Sequence, residues 1–141
     1  MCIAELIEEE KYNNIEIVYL SMPNNESMCI QTEKKYYIGV DYGLMNNESE
    51  NRVHLAHELG HCVTNSFYNK YATRDVMQKH ENRADKWAIE KLIPVKELDR
   101  AIENGHTEIW DLADYFMVTE RFMRKAVCWY NCGNLAIDLY F

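Results

Sequence analysis

An α+β architecture is expected for this chain: a small antiparallel sheet packed on two helices that carry a polar site, followed by a C-terminal helical segment. Three observations predict it. Short runs rich in β-branched and aromatic residues fill the first 45 positions. From about residue 47 the apolar period lengthens to that of amphipathic helices and stays so to about residue 132. Turn and cap residues fall at the borders between these runs. A length of 141 residues suits one domain, 1–141, with a sheet-rich part over 1–45, site-bearing helices over 47–93 and C-terminal helices over 95–132.

Taken in order, residues 2–10 read as a short helix with Ile3, Leu6 and Ile7 backed by an acidic face. Ile15–Leu20 and Tyr36–Val40 read as strands, and Ser27–Gln31 as a third between them. Met22-Pro23-Asn24-Asn25-Glu26 and Thr32-Glu33-Lys34-Lys35 supply the turns. The next helix starts near Asn47, a cap residue with Glu50 three positions on as its reciprocal partner, and runs to about Phe67. At 100° per residue, Leu55, Leu59, Cys62, Val63 and Ser66 share its packed face, with His57, Glu58 and His61 largely opposite.

After the loop Tyr68–Thr73, a helix is expected from about Asp75 to Ile93, ended by Pro94. A third spans Val95 to Asn104 with Gly105 as its stop. Thr107 and Thr119 are cap candidates for helices near 108–117 and 120–131, and Gly133 closes the last. Leu135, Ile137, Leu139 and Phe141 alternate with other residues, which suggests a final strand.

Composition narrows the function classes. Fifteen basic against 23 acidic residues give a net charge of −8, which opposes binding to nucleic acid or an anionic membrane. No apolar run approaches the roughly 18 residues of a membrane span, and Met1–Glu10 lacks the basic flank and apolar core of a signal peptide. A cytoplasmic protein is therefore expected. Its five cysteines are odd in number and scattered, which argues for reduced thiols; Cys128 and Cys132, one turn apart, read as core thiols.

The stretch His57-Glu58-Leu59-Gly60-His61 carries the chemistry. On a helix, residues four apart stand one turn above each other, so His57 and His61 can offer two imidazole nitrogens to one metal ion with Glu58 beside it. That is the His-Glu-x-x-His signature of zinc-dependent hydrolases. A catalytic zinc usually takes three protein ligands. Glu81 is the candidate for the third, because Glu81, Ala84, Asp85, Ala88 and Leu92 form one stripe of the next helix, and its alanines let two helix backbones approach. Asp85, one turn on, is placed to accept a hydrogen bond from the free nitrogen of His57 or of His61. One Zn2+ ion is the cofactor so implied, with Glu58 as general base. Tyr68, Tyr71, His80 and Arg83 are the positional candidates for a donor to the oxyanion.

The spans Val53-His54-Leu55-Ala56-His57-Glu58-Leu59-Gly60-His61 and Glu81-Asn82-Arg83-Ala84-Asp85-Lys86-Trp87-Ala88, with Leu92-Ile93-Pro94 after them, resemble the ImmA/IrrE family of metallo-endopeptidases. The close resemblance covers residues 53–94. It implies a compact glutamate-zincin with zinc on His57, His61 and Glu81 and with Glu58 as the base. It also implies a phage or mobile-element setting and a helix-turn-helix repressor as the protein cleaved. His54 departs from the small or hydroxyl residue common there; its azimuth falls between the two site histidines, so it contacts the site, competes as a ligand or caps the cleft.

Two other readings compete with a peptidase. One is a zinc-containing protein-binding module without activity, such as a toxin-antitoxin or regulatory component. The other rests on Asp111–Val127, where Leu112-Ala113-x-x-Phe116-x-Val118-Thr119 has the cadence of a helix-turn-helix. Residues 95–141 carry more acidic than basic side chains, however, so helix packing or docking of a repressor substrate is expected there rather than DNA binding. An extended substrate could add to the sheet edge near Tyr36–Val40.

Overall fold

The structure, a computed structural model, describes residues 14–20, 28–33, 35–41, 48–68 and 71–140. The helix expected over 2–10, the turn at Met22–Glu26 and the Asn47 cap lie outside these residues. Among the described residues, three strands, β1 (Ile15–Leu20), β2 (Met28–Gln31) and β3 (Tyr36–Asp41), precede six helices. These are α1 (Glu48–Val63), α2 (Arg74–Leu92), α3 (Val95–Glu103), α4 (Ile109–Phe116), α5 (Glu120–Cys132) and α6 (Ile137–Tyr140). The α+β class is as expected.

The sheet is mixed rather than antiparallel, with strand order β1-β3-β2. β2 and β3 form the expected hairpin, with Cys29 opposite Ile38. Its turn is closed by Thr32, whose backbone N–H and hydroxyl both donate to the Lys35 carbonyl at 2.9 Å. β1, however, pairs with β3 in parallel, Ile17 beside Ile38. A local turn dictates the first pairing; the second depends on where the chain re-enters the sheet, which no short segment encodes. Because β3 is central, it offers no edge, and the expected docking of an extended peptide at Tyr36–Val40 is corrected on that ground. Ile15 and Ile38 bury their side chains in the shared core.

Leu55, Ala56, Leu59 and Cys62 of α1 and Ala88, Ile89 and Leu92 of α2 join that core. The helices touch along the predicted alanine stripe: a Cβ placed on Gly60 would lie 2.6 Å from the Ala84 carbonyl oxygen, so only glycine fits there. Val63, expected on the packed face, is exposed. At the far end, α2 yields to Pro94, and the Tyr130 hydroxyl donates to the Ile93 carbonyl at 2.6 Å.

The C-terminal helices follow the expected borders with three corrections. Thr107 does not cap α4: the cap position is Glu108, extended at φ −91 and ψ 148, so the helix starts one residue later than expected, and Glu108 makes no side-chain cap bond. Cys132 is exposed, whereas Cys128 and Cys62 are buried thiols. The tail forms the short α6 instead of a strand, because the Asn134 side-chain oxygen accepts from the Ala136 N–H at 3.0 Å and bends the chain into a helical turn. Gly105 and Gly133 end α3 and α5 with φ of +100° and +72°, and Thr119 caps α5 by accepting from the Phe122 N–H at 3.2 Å.

The helix-turn-helix cadence is satisfied by packing. Leu112, Ala113, Phe116, Val118, Phe122, Met123 and Ala126 are all buried between α4, α5 and the rest of the core. Arg52 of α1, only 3% exposed, ties this unit to the first helix. Its guanidinium donates to the Met117 carbonyl at 3.0 Å and the Phe116 carbonyl at 3.3 Å, at the end of α4 where free carbonyls favour a cation.

Candidate metal centre

The end of α1 shapes one half of the site. The helix stops at Val63, short of the expected Phe67, because Asn65 takes the left-handed conformation (φ 51). The Ser66 N–H then returns to the His61 carbonyl at 2.9 Å and the Asn65 N–H to the Cys62 carbonyl at 3.3 Å, the paired bonds of a Schellman end. This reversal brings the Ser66 carbonyl within 2.7 Å of His61 Nδ1. A carbonyl only accepts, so His61 carries its proton on Nδ1 and turns Nε2 the other way.

His57, one turn earlier, is fixed in the same sense from α2. Its Nδ1 lies 2.7 Å from Asp85 Oδ1, and the second carboxylate oxygen of Asp85 accepts from Lys125 Nζ of α5 at 2.9 Å. The two Nε2 atoms therefore face each other, 3.1 Å apart. Glu81 completes the group: its carboxylate lies 2.7 Å from His57 Nε2 and 3.4 Å from His61 Nε2. Ligand atoms of all three residues fall within 4.8 Å of one another.

Such a set attracts a cation. With both Nδ1 protons engaged, two imidazole lone pairs and a carboxylate converge on one space. Donors around a tetrahedral zinc, at roughly 2.0–2.2 Å from it, stand about 3.3–3.5 Å apart, so the observed spacings fit after small outward shifts. A proton answers to the same arrangement. Burial works against a charge on His57, but its hydrogen bonds to Asp85 and Glu81 outweigh that and push its pKa up to about 10. His61 is raised in the same way, against burial, by Glu81 and the Ser66 carbonyl. Hydrogen bonds from His57 and His61 hold Glu81 well below the usual carboxylate range. Burial likewise opposes a charge on Asp85, yet His57 and Lys125 outweigh it and lower its pKa.

The remaining sequence candidates separate clearly. Glu58 is half-buried beside the group, and its charge is felt by both His57 and Tyr68. The Tyr68 hydroxyl donates to Glu81 Oε1 at 2.7 Å, and this bond is the main reason its pKa is pushed up to about 12. His80 sits behind it, ring centroids 6.0 Å apart. Tyr71, 83% exposed, and the exposed Arg83 are not among the three donors that converge. His54 lines the cleft over the site but is not among the converging donors. Two participants escaped sequence reasoning, Lys125 and the Ser66 carbonyl. The close helix approach at Ala84 was expected, but not that Gly60 is the residue facing it.

The cleft holds about 810 Å³ and is walled by Val53, His54, Thr119, Arg121, Phe122 and Lys125 around His57 and Glu81. No helix among the described residues is long and apolar enough to cross a membrane. No curated protein matches the sequence. The profile of the IrrE N-terminal-like domain of peptidase family M78 matches residues 10–127, most of the chain, and the protein belongs to that family.

Proposed function

We propose that this family member is a zinc-dependent endopeptidase that cleaves an intracellular protein. The substrate class implied by the resemblance is a helix-turn-helix repressor of a phage or mobile element. One observation carries the reading: both site histidines are held by Nδ1 acceptors so that their Nε2 atoms converge with the Glu81 carboxylate. His57, His61 and Glu81 would hold the ion. When bound, zinc supplies Lewis acidity, acidifying water towards a pKa of ~7 and polarising a peptide carbonyl.

The chain's own groups do the rest. Glu58, next to His57 but outside the donor set, takes the proton of the attacking water and returns it to the leaving amine. Tyr68 is the favoured oxyanion donor of the four candidates, since its hydroxyl already reaches the edge of the group, 2.7 Å from Glu81. The cleft of about 810 Å³ reaches the donor group at His57 and Glu81. An extended substrate has β2 as a platform: among the described residues β2 pairs on one side only, and Gln31 at its end donates to Asn65, just beyond His61.

Glu58→Gln tests the reaction. It should retain zinc and lose cleavage of the repressor substrate by about 10²–10⁴-fold. Equal cleavage by the variant would remove Glu58 as the base. A wild type that binds zinc and cleaves nothing in cells, by proteomic comparison with Glu58→Gln, would favour the non-catalytic binding module.

A further inference from the structure

We propose that Lys125 is a positioning residue for the metal centre, acting through Asp85 on His57; this rests on the metal-site reading above. Asp85 is mostly buried, its side chain 10% exposed, and both of its oxygens are used: Oδ1 by His57 Nδ1 and Oδ2 by Lys125 Nζ. A carboxylate fixed at one oxygen can swing about that contact, whereas one fixed at both presents a defined lone pair to the imidazole. Lys125 comes from α5, so a helix distant in sequence sets the aim of a ligand on α1.

The seat of Lys125 is itself built. Phe122, Met123 and Ala126 anchor its helix in the core. One turn further along α5, Trp129 receives the ammonium of Lys86 over its ring, 4.7 Å from the centroid. Lys86 adjoins Asp85, so α2 and α5 exchange lysines across one seam and neither helix can rotate without breaking a contact. The positive charge of Lys125 also opposes a divalent ion. It touches Asp85 at 2.9 Å, however, while the convergent donors lie beyond the imidazole, so alignment of Asp85 outweighs the repulsion.

The test is zinc affinity of the metal-stripped protein, read by competition with a chromogenic chelator. Lys125→Met should bind zinc about tenfold more weakly, the low end of what loss of an outer-shell partner costs, and Lys125→Arg should restore most of it. In an Asp85→Asn background Lys125→Met should have no further effect, because the lysine would have nothing to act through. A general packing role predicts additive losses, and additive losses overturn the proposal, as does unchanged or tighter binding by Lys125→Met. Should Lys125→Met fail to fold, Lys125→Gln takes its place in the same cycle. Wild type that binds no zinc would defeat the site reading itself, a result distinct from wild type and Lys125→Met binding alike.

Discussion

The α1–α2 pair and the α4–α5 unit are both helix pairs packed on one core, but they are held by different physics. In α1–α2 the backbones nearly touch at Gly60 and Ala84, and charged side chains are buried at the seam. In α4–α5 the seam is apolar, from Leu112 to Ala126, and the charged pair Arg124–Glu120 lies on the surface. Apolar packing tolerates volume-conserving change. A seam that must aim lone pairs does not, because each polar group there depends on a partner of fixed direction.

Adding one methyl at two glycines sharpens the contrast. Gly60→Ala should destabilise the fold by about 1–3 kcal/mol, since overpacking against a backbone outweighs the ~1 kcal/mol that alanine gains over glycine in a helix. Gly133→Ala meets nothing within 4 Å but keeps φ at +72°, so its cost should be that of the left-handed backbone, roughly 1–2 kcal/mol. Denaturant unfolding measures both, and only Gly60→Ala should also weaken zinc binding. Equal zinc affinity in Gly60→Ala would break the claim that helix spacing aims the donors.

Protons probe the same seam. The raised pKa of His57, about 10 against an ordinary 6.5, means that the metal-free fold gains stability from the imidazolium. The gain is complete below pH 6.5 and is lost as pH rises through about 10. Lowered Glu81 and Asp85 act oppositely, contributing above the normal carboxylate range and losing their effect as pH falls through their folded values. Zinc must displace the His57 proton, and His61 is raised as well, so binding near pH 8 should release at least about one proton, and apparent affinity should rise by at least about tenfold per pH unit. Calorimetry in buffers of different ionisation enthalpy reads this directly; no proton release would contradict the convergent arrangement. On the other unit, Thr119→Ala should cost about 1 kcal/mol through the lost cap and leave zinc binding unchanged.

The division between what the sequence showed and what it hid follows the same line. His57 with His61 on α1, and Glu81 with Asp85 on α2, stood out in the sequence because helical spacing sets each pair on one face of its own helix, and caps such as Thr119 and Gly133 act within a few residues of themselves. Lys125 did not, since its partner lies 40 residues away and nothing local marks the contact. The parallel pairing of β1 with β3 was hidden for the same reason. Asn65 stands between the cases: its left-handed turn is a local habit of asparagine, but its consequence, the Ser66 carbonyl on His61, needed the fold.

The proposed chemistry turns on Glu81 completing a metal site with the two histidines of α1. Zinc titration of metal-stripped wild type and Glu81→Ala, with folding checked by circular dichroism, tests it most directly. Wild type should hold one ion tightly per chain and Glu81→Ala should lose most of that affinity; undiminished affinity in the folded variant would mean that the third ligand lies elsewhere.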